Sequence, residues 1–84
     1  ECVPQHLGRQ ITQSLDIPTI GIGAGSYTDG QVLVLQDMLG MQPSFKPKFL
    51  RHYLDGHRQL SDAVNAFHHD VDKGTFPNCE EVYR

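Results

Sequence analysis

The chain has 84 residues, 38% of them apolar, with a formal charge of −3 and no Trp. That balance fits a soluble protein and excludes a disordered tail or a coiled coil. Seven Lys and Arg are scattered among ten Asp and Glu, so there is no basic stripe to track a phosphate backbone, and nucleic acid is not an expected partner.

A chain this short buries only about 60% of its unfolded surface unaided. Glu1 stands first with no initiator Met, nothing resembles a secretion signal, and no apolar run approaches the roughly 20 residues of a membrane span. The expectation is a piece of a larger cytoplasmic protein with no membrane segment. Cys2 and Cys79 sit near opposite ends, where a disulfide could staple them, but two lone Cys in an acidic soluble chain are more often free thiols, and these read as such.

In chain order, Pro4 suits the first position of a helix, where its missing N–H costs nothing, and Leu7, Ile11 and Leu15 follow at helical spacing. Asp16, Ile17 and Pro18 end that helix, since the residue before a proline is pushed out of the α region. A strand over 19–25 comes next, with Gly21, Gly23 and Gly25 on one face and Ile20, Ile22 and Ala24 on the other. A glycine face has nothing to pack, so something must approach that backbone closely. Residues 26–30 are turn chemistry, and a second apolar strand covers 31–37. Two near-continuous apolar strands read as parallel neighbours in a sheet covered on both faces, although their link is short for a parallel crossover.

Pro43 and Pro47 favour an extended loop, after which a short helix over 49–54 is expected to stop at Asp55-Gly56. The longest helix carries Leu60, Val64, Phe67 and Val71 on one face and closes at Lys73-Gly74. The tail from Thr75 is polar apart from Phe76, Val82 and Tyr83, and is expected to be loosely held.

Three motifs fail on inspection. Gly21-Ile22-Gly23-Ala24-Gly25 lacks the small sixth residue and the following helix of a dinucleotide fingerprint, since Ser26 and a turn stand there. Gly25 to Gly30 has P-loop spacing, but Gln31 occupies the lysine position. His68, His69, Asp70 and Asp72 point around a helix rather than at one ion, and only His68 and Asp72 share a face. His6, His52 and His57 are isolated and read as surface residues.

Glu1 and Asp37 each fall at the end of an expected strand, which is where α/β barrels carry their reactive groups. Either carboxylate is a candidate general base. The alternatives are a solvated terminus for Glu1 and a helix cap for Asp37.

Together, Glu1-Cys2-Val3-Pro4, Ile17-Pro18-Thr19-Ile20-Gly21-Ile22-Gly23-Ala24-Gly25, Asp29-Gly30-Gln31-Val32-Leu33-Val34, Lys46-Pro47-Lys48-Phe49 and Gly74-Thr75-Phe76-Pro77 resemble the C-terminal third of the ketopantoate (3-methyl-2-oxobutanoate) hydroxymethyltransferase family. The resemblance implies an α/β fold, the closing portion of a (βα)8 TIM barrel of the phosphoenolpyruvate/pyruvate type. Residues 1–84 would run from the end of strand six through strand eight to the closing helices, within one barrel domain. It implies transfer of a hydroxymethyl group from 5,10-methylenetetrahydrofolate to 3-methyl-2-oxobutanoate, on the route to pantothenate and coenzyme A. Glu1 would be the proton acceptor, and Ile22 and Val32 would line the keto acid pocket. Mg2+ would hold the keto acid through ligands on strands one to four, so no metal ligand is expected in this chain. A large cytoplasmic homo-oligomer, a decamer, is implied, as is inactivity of these residues alone.

Two departures from the family pattern are visible. Gln36 replaces a histidine before the strand-eight aspartate, and Glu80-Glu81-Val82-Tyr83-Arg84 replaces a Glu-Glu-His-Ser-Phe ending. The alternatives are a non-catalytic assembly module that docks through strand edges, and a related barrel lyase acting on another 2-keto acid.

Overall fold

In the computed structural model, which describes residues 1–84, Pro4 (φ −54°, ψ 141°) is extended and caps α1 (Gln5–Ser14) rather than starting it. The Thr12 hydroxyl donates back to the Gly8 carbonyl at 2.8 Å. Leu15 then turns extended (φ −107°, ψ 146°), three residues ahead of Pro18.

The chain next forms β1 (Ile20–Gly21) and β2 (Gly30–Gln31), which pair in parallel with Ile20 beside Gly30 and Gly21 beside Gln31. The parallel pairing agrees with the sequence, but the regular strands are far shorter than 19–25 and 31–37. At the end of β1 the reason is backbone: Gly23 (φ 65°) and Gly25 (φ 81°) are left-handed, so the glycines bend the chain instead of forming one strand face. Close approach does occur at both. A Cβ on Gly23 would lie 2.9 Å from the Phe49 ring, and one on Gly25 would meet the Gln5 side chain.

Eight residues, 22–29, join the parallel strands with no helix. Side chains clamp this short link at both ends. At the amino ends of the strands, Asp29 Oδ2 accepts from the Thr19 amide (2.8 Å) and hydroxyl (3.2 Å), and the Thr19 hydroxyl lies 2.8 Å from that of Thr12. At the other end, Gln31 Nε2 donates to the Gly25 carbonyl at 2.8 Å and to Thr28 Oγ1 at 3.1 Å.

Beyond β2 the expected strand gives way to α2 (Leu35–Met38). The β-branched residues stop at Val34, and Leu35, Gln36, Asp37 and Met38 carry no χ1 restriction against a helical turn. Asp37 therefore ends no strand. It sits half-buried inside α2 and makes no side-chain cap. Gly40 (φ 68°) closes the turn, with its amide donating to the Asp37 carbonyl at 3.0 Å.

The expected helix over 49–54 is absent, because this segment hydrogen-bonds elsewhere. The Tyr53 amide donates to the Met38 carbonyl (2.8 Å), that of Gly56 to Leu39 (2.9 Å) and that of His57 to Gly40 (3.0 Å). Gly40 and Gly56 permit this contact, since a Cβ on either would collide with the Leu54 or Leu39 carbonyl. Asp55-Gly56 thus opens a helix instead of stopping one. α3 (Gly56–Lys73) ends as its sequence dictates, at a left-handed Gly74 (φ 73°) whose amide donates to Asp70 and Val71. The tail returns only as far as Phe76, whose ring meets Phe67 edge-on at 5.2 Å.

The five buried residues are Gly8, Gly21, Ala24, Gly40 and Gly56. No large side chain is fully buried. The radius of gyration is 21.5 Å, against about 12 Å for a compact domain of this length. Along α3, Leu60, Val64, Phe67 and Val71 are 53%, 66%, 55% and 46% exposed. The helices and strands are well formed, and the apolar faces they carry have nothing in this chain to bury them.

Candidate active site

The segment before α1 lies beside β1, on the edge away from β2: the Cys2 amide donates to the Ile22 carbonyl at 2.9 Å. Segment, helix and strand form a crossover, the connection that keeps neighbouring strands parallel. The ladder between β1 and β2 gives the offset. Gly21 sits beside Gln31 and its carbonyl accepts from the next residue, Val32, at 2.9 Å. The same offset sets Glu1 beside Ile22, and one further step along β1 and β2 sets Ile22 beside Val32. Three residues singled out in the sequence thus form one row of backbone positions across three chain segments, tied by the Cys2–Ile22 and Val32–Gly21 hydrogen bonds.

The row lies open. Glu1 is exposed, Ile22 half-buried and Val32 47% exposed. The Arg58–Asp62 ion pair and the His68–Asp72 contact both lie on α3, and no ion pair involves Glu1. A carboxylate beside aliphatic side chains at the end of a strand can accept a proton from a carbon acid held against those side chains. Asp37, the other carboxylate considered, is outside the row because α2 carries it past the end of β2.

A cavity of about 740 Å³ opens where the segment and β1 end, lined by Cys2, Val3, Gln5, Gly23, Gly25, Gln31, Lys48 and Phe49 among others. Glu1 borders a smaller one of about 240 Å³, with Ile11, Thr12 and Ile20, between α1 and β1. Cys2, in a left-handed conformation (φ 53°), and Cys79 are both free and exposed. His52 is half-buried, and its Nε2 lies 3.1 Å from the Phe45 carbonyl in an exposed contact.

No three His, Cys, Asp or Glu side chains converge on a point that could hold a metal ion. The donors of this chain do not by themselves fit Mg2+. Two residues that matter to the geometry, Asp29 and Gln31, were not singled out for it in the sequence. A polar residue opening an otherwise apolar run, as Gln31 does, is the signal that pointed there.

The sequence profile of the family described as ketopantoate hydroxymethyltransferase matches residues 1–79. The chain belongs to this family. Among its relatives is a 3-methyl-2-oxobutanoate hydroxymethyltransferase of Francisella tularensis, 57% identical over 83 residues, which are 99% of this chain and 31% of the relative. Proteins of the same description from Bdellovibrio bacteriovorus and Aliarcobacter butzleri are 57% and 54% identical over the same length, 32% and 31% of their own. The chain therefore spans about a third of the curated relatives it matches. The profile match spans the segments that carry Glu1, Ile22 and Val32.

No helix is long and apolar enough to cross a membrane.

Proposed function

We propose that the protein to which this chain belongs transfers a hydroxymethyl group from 5,10-methylenetetrahydrofolate to 3-methyl-2-oxobutanoate, with Glu1 as the proton acceptor. The observation that carries this reading is 57% identity across 99% of the chain to a relative described as 3-methyl-2-oxobutanoate hydroxymethyltransferase. The chain contributes the end of strand six, strands seven and eight and the closing helices of a single (βα)8 barrel, which accounts for strands and helices whose apolar faces are uncovered here.

In this reading the Glu1 carboxylate takes the proton from the carbon next to the keto group, and the electron pair of that C–H bond becomes the enolate double bond. Ile22 and Val32 hold the branched aliphatic end of the keto acid beside Glu1. The enolate carbon then bonds to the methylene carbon as one of its two C–N bonds to the folate breaks, and water displaces the second folate nitrogen and supplies the hydroxyl of the product, while the proton held by Glu1 and the one released by water go to the two nitrogens of the departing tetrahydrofolate. The same reading carries a cytoplasmic homo-oligomer, and it leaves Mg2+ binding to other parts of the barrel.

The test is a chimera in which this chain replaces the matching third of the Francisella tularensis relative. Turnover of 3-methyl-2-oxobutanoate is expected in the chimera and not in the isolated chain. Glu1→Gln should lower kcat by about 10²- to 10⁴-fold, the usual contribution of a general base. An active isolated chain, or a Glu1→Gln chimera as fast as its parent, overturns the reading.

A further inference from the structure

We propose that Gln31 is a positioning residue for proton removal by Glu1, acting through the glycine turn that follows Ile22. The inference rests on the reading of Glu1 given above.

Gln31 opens an apolar run, yet its side chain reaches back across the sheet. Its Nε2 donates to the Gly25 carbonyl at 2.8 Å and to Thr28 Oγ1 at 3.1 Å, and that hydroxyl donates in turn to the Gly30 carbonyl at 2.9 Å. The Gly25 carbonyl ends a turn with two left-handed residues, Gly23 (φ 65°) and Gly25 (φ 81°), which by itself is among the freest stretches of backbone a chain can have. The Phe49 ring against Gly23 and the Gln5 side chain against Gly25 limit the turn sterically. Gln31 supplies the polar tie. Directly before the turn stands Ile22, whose carbonyl holds the Cys2 amide at 2.9 Å and so holds Glu1, one residue earlier, beside it. A shift of the turn moves Ile22 and Glu1 relative to each other.

The other clamp on the same link offers an internal control. Asp29 ties Thr19 at the amino ends of the strands, whereas Gln31 adjoins Val32 and ties the turn that begins after Ile22. Both clamps are exposed, so water can replace much of what either contributes to stability. They differ in which end of the strands they fix, and only the Gln31 end adjoins the row of Glu1, Ile22 and Val32.

The test uses the chimera and follows exchange of the C3 hydrogen of 3-methyl-2-oxobutanoate in D2O with no folate present, which reads proton removal alone. Gln31→Met should slow exchange about tenfold or more, as misplacement of reacting groups does. Asp29→Ala should lower the melting temperature at least as much while leaving exchange within about twofold of the parent. If Gln31→Met does not fold, Gln31→Glu keeps the shape but replaces the donor with an acceptor, and the same slowing is expected. Exchange within about twofold of the parent in the folded Gln31 variant overturns the inference, as does slowing that tracks melting temperature equally in both clamps. A parent chimera with no exchange overturns the reading of Glu1 and this inference with it.

Discussion

In the strand region, residues 1–34, backbone meets backbone across long stretches of sequence: Cys2 to Ile22, Gly30 to Thr19, Val32 to Gly21. Gly8, Gly21 and Ala24 are buried there because chain passes directly against chain. Along α3 the hydrogen bonds are local and the apolar stripe of Leu60, Val64, Phe67 and Val71 faces outward over an 18-residue helix. A helix closes its hydrogen bonds within itself, so α3 is complete without its covering partner. A parallel strand cannot do so, and the strand region is held by polar clamps and glycine contacts where a full sheet would supply neighbours.

Variants of the chimera can break or sharpen that contrast. The largest effect is expected at the joint between the two regions. Gly40→Val puts a β-branched residue at φ 68° against the Leu54 carbonyl, and should cost more than about 3 kcal/mol, read as a drop in thermal midpoint. A midpoint unchanged by this variant would mean that the joint is not as close as described. Val64→Ser follows. In the isolated chain, where Val64 is 66% exposed, its helicity by circular dichroism should barely change, whereas burial in the chimera should make the same change cost about 2 kcal/mol. Equal effects in both settings would show that α3 stays uncovered.

Thr19→Val tests the polar clamp in the strand region. It removes the hydroxyl shared with Thr12 and Asp29 and should cost about 1 kcal/mol in denaturant unfolding, the worth of a typical hydrogen bond. The smallest effect is expected on α3: Asp72→Asn removes the exposed 3.2 Å contact with His68 and should change stability by less than about 0.5 kcal/mol. A larger loss would mean that the pair is covered in the assembled protein.

Much of this was legible in the residues. The stripe and the Lys73-Gly74 close defined α3, because spacing and a left-handed cap are local properties of a helix. The parallel pairing of two apolar runs was legible for a similar reason, since near-continuous apolar runs are typical of strands in parallel sheets. The family resemblance carried by Glu1-Cys2-Val3-Pro4 and its companion motifs agrees with the profile match over residues 1–79.

Tertiary geometry decided the rest. The glycines after β1 looked like one face of a strand, and only the approach of Phe49 and Gln5 distinguishes a left-handed turn from an extended run. Residues 49–54 had the composition of a short helix, but the Tyr53 amide, followed by those of Gly56 and His57, is drawn to the end of α2, a competition invisible to local propensity. Glu1, Ile22 and Val32 lie far apart in sequence, and hydrogen-bond register across three segments is what makes them neighbours. Sequence alone determined α1, α3 and the parallel pairing of the two apolar segments, because those preferences are written within a few residues. Where the strands stop and which residues become neighbours depended on contacts between distant parts of the chain.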